Sequence, residues 1–196
     1  YIKEFEYNKI VFLNGFYNNH LFNYENEEKI IFDNLKTGPA YKPQGNNSLN
    51  LLNNAFFTDG LLLYVKNGYQ CKKPLVIYNI TNEDLKSKNL NLRFNILLEE
   101  NSYLKIIDIL SDKSKNNFLN TYYQYEIKKN SILKNYKIDR KFNSNIKYFY
   151  NNINQETNSL SEIFILSSGS DFIKNEINCN LNGKFASTFV NGIIVL

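Results

Sequence analysis

The side chains in this chain that could do chemistry are few, and each stands alone. Cys71 and Cys179 are the two thiols and His20 the one imidazole. Cys71 precedes Lys72 and Lys73, whose ammonium groups would lower a thiol pKa and raise its reactivity. With no second ligand or base beside it, Cys71 reads as a surface thiol without a role. Cys179 shares strand parity with Ile173 and Ile177 and reads as a small core residue. His20 sits in the loop-like stretch Tyr17-Asn18-Asn19-His20 without a second ligand, so it reads as a solvated loop histidine rather than a metal ligand or base. Two cysteines make neither a disulfide framework nor a CxxC site, and a reducing compartment follows as the default. No residue is assigned a catalytic, cofactor-binding or metal-binding role.

Other chemistries are weaker still. No G-x-x-x-x-G-K-[ST] loop is present, since Gly183-Lys184 is followed by Phe185. Glu99-Glu100 and Asp108 form no recognisable acid pair. A polysaccharide-lyase-like β-helix would need acids and basic residues clustered on one groove, and Arg93 and Arg140 are the only arginines. Residues 121–150 hold seven basic side chains (Lys128, Lys129, Lys134, Lys137, Arg140, Lys141, Lys147) against Glu126 and Asp139, with eight aromatics interleaved. That segment is +5 and the rest of the chain −1. Single-stranded nucleic acid uses such mixtures. The simpler reading is a solenoid face with rings inward and lysines outward, and no nucleic-acid partner is expected.

The elements that must position these residues show a period. Asn67-Gly68, Asn101-Ser102, Asn130-Ser131, Asn158-Ser159 and Asn182-Gly183 recur at roughly 24 to 34 residues. Asn, Gly and Ser are turn formers: the first two tolerate positive φ, and short polar side chains bond their own backbone. Gly68 and Gly183 are both expected at positive φ. A turn returning at a near-constant spacing between β-rich runs marks stacked coils, and the fold class is mostly β, a β-helix (solenoid) core with a small N-terminal α+β cap. The strands after Gly60 are expected at 61–65, 75–80, 90–96, 103–110, 123–127, 163–166, 172–179 and 185–196. In the run from Leu90 to Ile96, apolar residues alternate with Asn91, Arg93 and Asn95 as in a half-buried strand.

The first sixty residues do not repeat. Lys9 to Leu13, Asn14-Gly15 and Phe16-Tyr17 read as a hairpin, and Lys29 to Phe32 as another strand. Pro39, Pro43, Gly38 and Gly45 mark residues 37–48 as a loop. A short helix over residues 49–57 follows, with Ser48 as N-cap and Leu49, Leu52 and Phe56 along its apolar face, ended by Asp59-Gly60. Two regions are expected: 1–60, an α+β region of hairpin, loop and short helix, and 61–196, β-helix coils that read as truncated at the C-terminus.

Composition sets the remaining limits. The chain has 196 residues, 43% of them apolar, with 15 Phe, 15 Tyr, 35 Asn, 21 Lys and 2 Arg, and a net charge of +4. Asn, Lys, Ile, Tyr and Phe share A- and T-rich codons, which points to a base-biased genome, either that of a plastid-like organelle (apicoplast) of a parasite or a reduced bacterial genome with a cytoplasmic product. The asparagines are spread among strands, unlike a prion-like tract. No apolar run reaches the roughly 18 residues of a membrane span, and no basic start followed by an apolar stretch suggests a signal peptide, which processing would have removed. A chain that begins at Tyr1 reads as a mature product or an excised piece.

Several stretches resemble the SufB/SufD family in order and spacing. Ile10-Val11-Phe12-Leu13-Asn14-Gly15-Phe16 resembles the opening hairpin of SufD proteins. Leu52-Asn53-Asn54-Ala55-Phe56-Phe57-Thr58-Asp59-Gly60 looks like the helix and turn before the family's β-helix. Val65, Gly68, Pro74, Leu75 and Ile77 match its first coil, and Glu100-Asn101-Ser102 and Leu181-Asn182-Gly183 resemble later coil turns. No single motif is specific, and the hairpin fits SufD better than SufB. The resemblance implies a non-ATPase scaffold subunit of the SUF iron–sulfur assembly machine, pairing with a SufB-like paralogue and a SufC-like ATPase, with no membrane partner and no enzymatic activity of its own. Iron, sulfur or the cluster would be handled transiently by the whole SufBCD complex, with no cofactor resident in this segment. Iron–sulfur clusters favour thiolate ligands, and one buried cysteine cannot hold a cluster alone. The family's functional histidine and ATPase-binding helices belong to a later region, and no residue here inherits their roles. Alternative functions for the same architecture are a β-solenoid binding module and a carbohydrate-active β-helix protein.

Overall fold

A computed structural model describes residues 2–18, 28–35 and 47–195, with the side chains of residues 140–144 set aside. His20 and the loop over residues 37–46 lie outside the described residues.

The architecture is a β-solenoid of about five turns with one short helix. The strands are β1 (Asn8–Leu13), β2 (Phe16–Tyr17), β3 (Ile30–Asn34), β4 (Asp59–Val65), β5 (Leu75–Thr81), β6 (Asn89–Leu98), β7 (Tyr103–Asp112), β8 (Phe118–Ile127), β9 (Ile132–Gln155), β10 (Leu160–Leu181) and β11 (Ser187–Val195). The helix α1 (Ser48–Ala55) lies between β3 and β4. One face is the parallel series β1, β5, β7, the first half of β9, the first half of β10, and β11. The facing series is β4, β6, β8 and the second halves of β9 and β10. The opening hairpin is present, with β1 antiparallel to β2 and Asn14 and Gly15 at φ 50° and 83°.

Coil stacking is fixed at the corners. Asn101, Asn130 and Asn158 hold φ of 57°, 60° and 57°. The Asn130 Nδ2 donates to Asn101 Oδ1 at 2.9 Å and the Asn158 Nδ2 to Asn130 Oδ1 at 3.2 Å. Ser102 and Ser159 close the same turns, their hydroxyls donating to the Glu99 and Glu156 carbonyls at 2.6 and 2.7 Å. A second corner repeats the device: Asn117 and Asn145 side-chain oxygens accept from the Lys88 and Asn117 amides, each at 2.8 Å. Asparagine thus supplies both the left-handed backbone and the amide that joins one coil to the next.

Local expectations are corrected in four places. The helix is capped by Asn47, not Ser48: the Asn47 Oδ1 accepts from the Asn50 amide at 2.8 Å. Its buried side is Asn50 and Asn53, while Leu51 and Phe56 are exposed. The polar side turns inward because Asn53 Nδ2 donates to the Leu92 and Asn120 carbonyls at 3.0 and 2.8 Å. Asp59-Gly60 opens β4 rather than ending the helix. Strand β6 is buried on both faces, Asn91, Arg93 and Asn95 included, because α1 packs on its outer side. Gly183 is not at positive φ; that conformation falls to Phe185, at 61°.

Gly183 is required for a different reason. A Cβ there would stand 2.0 Å from the Thr157 amide nitrogen and 2.3 Å from the Glu156 carbonyl carbon. At Gly68, φ is +72° and the space around a Cβ is open. Gly68→Ala should therefore cost only the left-handed strain, about 1–2 kcal/mol. Gly183→Ala must push two backbones apart and should lower the melting temperature more. Thermal unfolding of both variants checks the order, and equal losses would contradict the close approach at Thr157.

Candidate functional site: a charged cluster inside the solenoid

Strand alternation decides which side chains enter the interior. On β7 the inward series is Leu104, Ile106, Asp108, Leu110 and Asp112, and on β9 it is Leu133, Asn135, Lys137 and Asp139, all buried. Parallel register sets Asp108 directly opposite Lys137 and Leu110 opposite Asp139. Both rows begin with apolar residues at the first corner and turn polar toward the second. A layer of charge is thereby enclosed between apolar layers.

Asp108 accepts from Asn79 Nδ2 at 2.9 Å and from the Tyr123 hydroxyl. Lys137 donates to Asn151 Oδ1, and its Nζ stands 3.1 Å from the centre of the Tyr123 ring. Burial pushes the Lys137 ammonium down to about 7, against the pull of Asp108. Burial pushes the Asp108 carboxyl up, opposed by Lys137, Tyr123 and Asn79. Both shifts favour the neutral forms, as low dielectric demands of charges with few partners. Tyr123 is held well above its ordinary value, by burial first and then by Asp108.

A second buried pair adjoins the first. Lys147 is fully buried and its Nζ lies 3.0 and 2.9 Å from the two Asp139 carboxylate oxygens and 3.7 Å from Asp112. Burial would raise the Asp112 carboxyl, but hydrogen bonds from Ser114, Thr81 and Asn145, with the charge of Lys147, hold it below the usual range. Every carboxylate oxygen of Asp112 and Asp139 finds a donor, as burial of such groups requires. Between the two pairs lies a cavity of about 40 Å³ lined by Asn79, Asp108, Lys137 and Asp139 among apolar walls. The Asn79 Oδ1 on its wall is buried without a hydrogen-bond partner. The space is enough for ordered water. Lys137, opposite Asp108 in register but with no salt bridge to it, is the group here whose proton affinity burial brings toward neutrality.

Among the described residues, the two cysteines first singled out for chemistry are not brought together. Cys71 is not a surface thiol: it is 5% exposed and packs within the main apolar cluster, because β5 and β7 enclose it. Cys179 is not a core residue but exposed, although its neighbour in register, Ile153, is fully buried. No described strand covers it from the far side of β10. Among the described residues, no three Cys, His, Asp or Glu side chains gather as a metal site. The lysines of residues 121–150 do not all face outward: Lys137 and Lys147 are buried, and the rings of Tyr122, Tyr148 and Tyr150 pack outside the sheet, against Leu49 of α1. Asp108 and Lys137 were missed as a pair, yet they are 29 residues apart, the same interval as Asn101 and Asn130.

A family model described as SUF system FeS cluster assembly, SufBD core domain, matches residues 79–196, a span that contains the whole charged cluster. No curated protein matches the chain.

Lys137 sets a pH dependence whose sign is fixed. Between pH 7 and 10.5 the unfolded chain keeps a proton on this amine that the folded chain releases. Stability therefore rises with pH through that window, by about 2 kcal/mol from pH 7 to 9 for this group. Lys137→Met should remove that rise. Urea unfolding of both proteins at the two pH values measures the difference, and an unchanged slope would place Lys137 in water.

Proposed function

The chain belongs to the SufBD core-domain family of SUF-system FeS cluster assembly, and we propose that it is a SufD-type, non-ATPase scaffold subunit pairing with a SufB-like paralogue and a SufC-like ATPase. Iron, sulfur and the cluster are its cargo, handled by the complex rather than held by a ligand set of this chain. The observation that carries the reading is the family match, which spans the coils from residue 79 to residue 196. Inward-facing Val190 and Ile194 of β11 and Leu181 of β10 are 45%, 61% and 51% exposed, where their equivalents in earlier coils are buried. Exposed apolar residues beside a strand edge that no described strand pairs form a surface that further coils or another polypeptide would cover. The Asn14-Gly15 hairpin supports SufD over SufB. The carbohydrate-active and free-standing binding-module readings are not favoured by the family match.

Co-expression with SufB-like and SufC-like subunits tests the reading. A tagged form of this protein is expected to retain both through purification, and isolation with neither would overturn it. Expressed alone, residues 1–196 should self-associate through the open end, and Ile194→Lys should shift sedimentation toward monomer. A wild-type chain that sediments as a concentration-independent monomer would contradict the assignment of that end as an interface.

A further inference from the structure

The outer surface of the first sheet is apolar across six strands, and a solvated sheet face would be polar there. Val11, Tyr78, Ile109, Ile138, Leu166 and Ile193 stand in one row, each opposite the next in the parallel register. The adjacent row is apolar over four strands, Val76, Ile107, Tyr136 and Phe164, between Lys9 on β1 and Asn191 on β11. Only the first part of this face is covered by described residues. Ile2 and Tyr7 pack on the buried cluster of Val11, Val76 and Tyr78, and the Ile2 amide donates to the Tyr78 hydroxyl at 3.0 Å. On β9 and β10 the same rows are half-exposed, and on β11 they end in Asn191 and in Ile193, the latter 52% exposed, with Phe189 (56%) in the bordering row.

Three properties define what fits there. The open part spans four strands, about 20 Å across and about 12 Å along them, from the usual strand spacing and rise. That is the footprint of one helix of about 13 residues and 10–12 Å diameter. A second copy of this chain would need about 800 Å² on each side, some three times the apolar area available. Along one border runs a row of Lys105, Lys134 and Glu162. Lys134 pairs with Glu162 at 2.8 Å, and Lys105 makes no ion pair among the described residues. A sheet face rather than an edge is buried by a helix or another sheet, and among the described residues the one helix, α1, packs on the opposite series of strands.

We infer that this face is a docking site for an amphipathic helix of a partner protein, its apolar stripe laid across β7, β9, β10 and β11 and an acidic flank set against Lys105. The site is separate from the open end of the solenoid and does not depend on the SufD assignment.

The probe is a stapled Leu/Ala/Glu peptide of about 15 residues, with leucines on one helical face and glutamates along one flank. Two control peptides disperse the leucines or replace the glutamates with lysine. Fluorescence anisotropy against the full chain should show the designed peptide binding at least about tenfold more tightly than either control. Phe164→Lys should weaken it about tenfold at an unchanged melting temperature. Lys105→Glu, a surface change that leaves folding intact, should reverse the preference between the glutamate and lysine peptides. Equal binding of the dispersed peptide, or indifference to Lys105→Glu, would overturn the inference. So would self-association abolished by Phe164→Lys, which would make the occupant a second copy of the chain.

Discussion

Everything in this structure depends on in-register parallel stacking of coils at a spacing of 28 to 29 residues from one asparagine corner to the next. The corner sets the register twice over. A left-handed asparagine turns the chain, and its side-chain amide reaches the asparagine of the previous coil. Because side chains alternate with period two, a slip of one residue would exchange the inner and outer faces of every strand beyond it. The corner ladder is therefore what keeps Leu104, Ile106 and Leu133 inside and Lys105 and Lys134 outside.

The same register encloses charge. Asp108 opposite Lys137, and Lys147 among Asp139 and Asp112, occupy interior positions that aliphatic residues fill in neighbouring coils, such as Ile77 and Ile165 beside the first pair. Replacing buried ionisable groups by apolar residues is often neutral or stabilising, so such a layer is weak support for stability. It is better understood as a local property of the interior: a small cavity with Asp108, Lys137 and Asp139 on its wall, inside a family described by SUF-system FeS cluster assembly. The outer surfaces divide differently. α1 covers β6 and β8 of one sheet through asparagine-to-carbonyl bonds, and the other sheet presents apolar rows that described residues cover only in part.

Much of this was legible in the residues. Five turn signals and alternating strands were enough for the solenoid and for most strand positions. The helix was found, but its orientation was not. Periodicity weighs Leu against Asn by hydropathy, whereas here Asn53 satisfies two carbonyls that α1 would otherwise bury unpaired. The cysteines were exchanged for a related reason. Cys71 looks exposed beside two lysines, and only the pairing of its backbone with β7 encloses it. Cys179 has core parity, but burial also requires a coil on each side. The charged cluster was hidden because charge was read as a sign of the surface. Parity counted from Leu104 and Leu133, combined with the 29-residue interval, would have placed Asp108 and Lys137 inside and face to face.

The central claim is that the corner register forces Lys137 into the interior opposite Asp108. Nitrogen-15 NMR of the lysine side chains, with Lys137 assigned by its loss in Lys137→Met, tests this most directly. An amine that titrates near pH 7 is what this burial requires. Titration near the ordinary lysine value, about 10.4, would put the side chain in water and show that β9 is displaced from the register described.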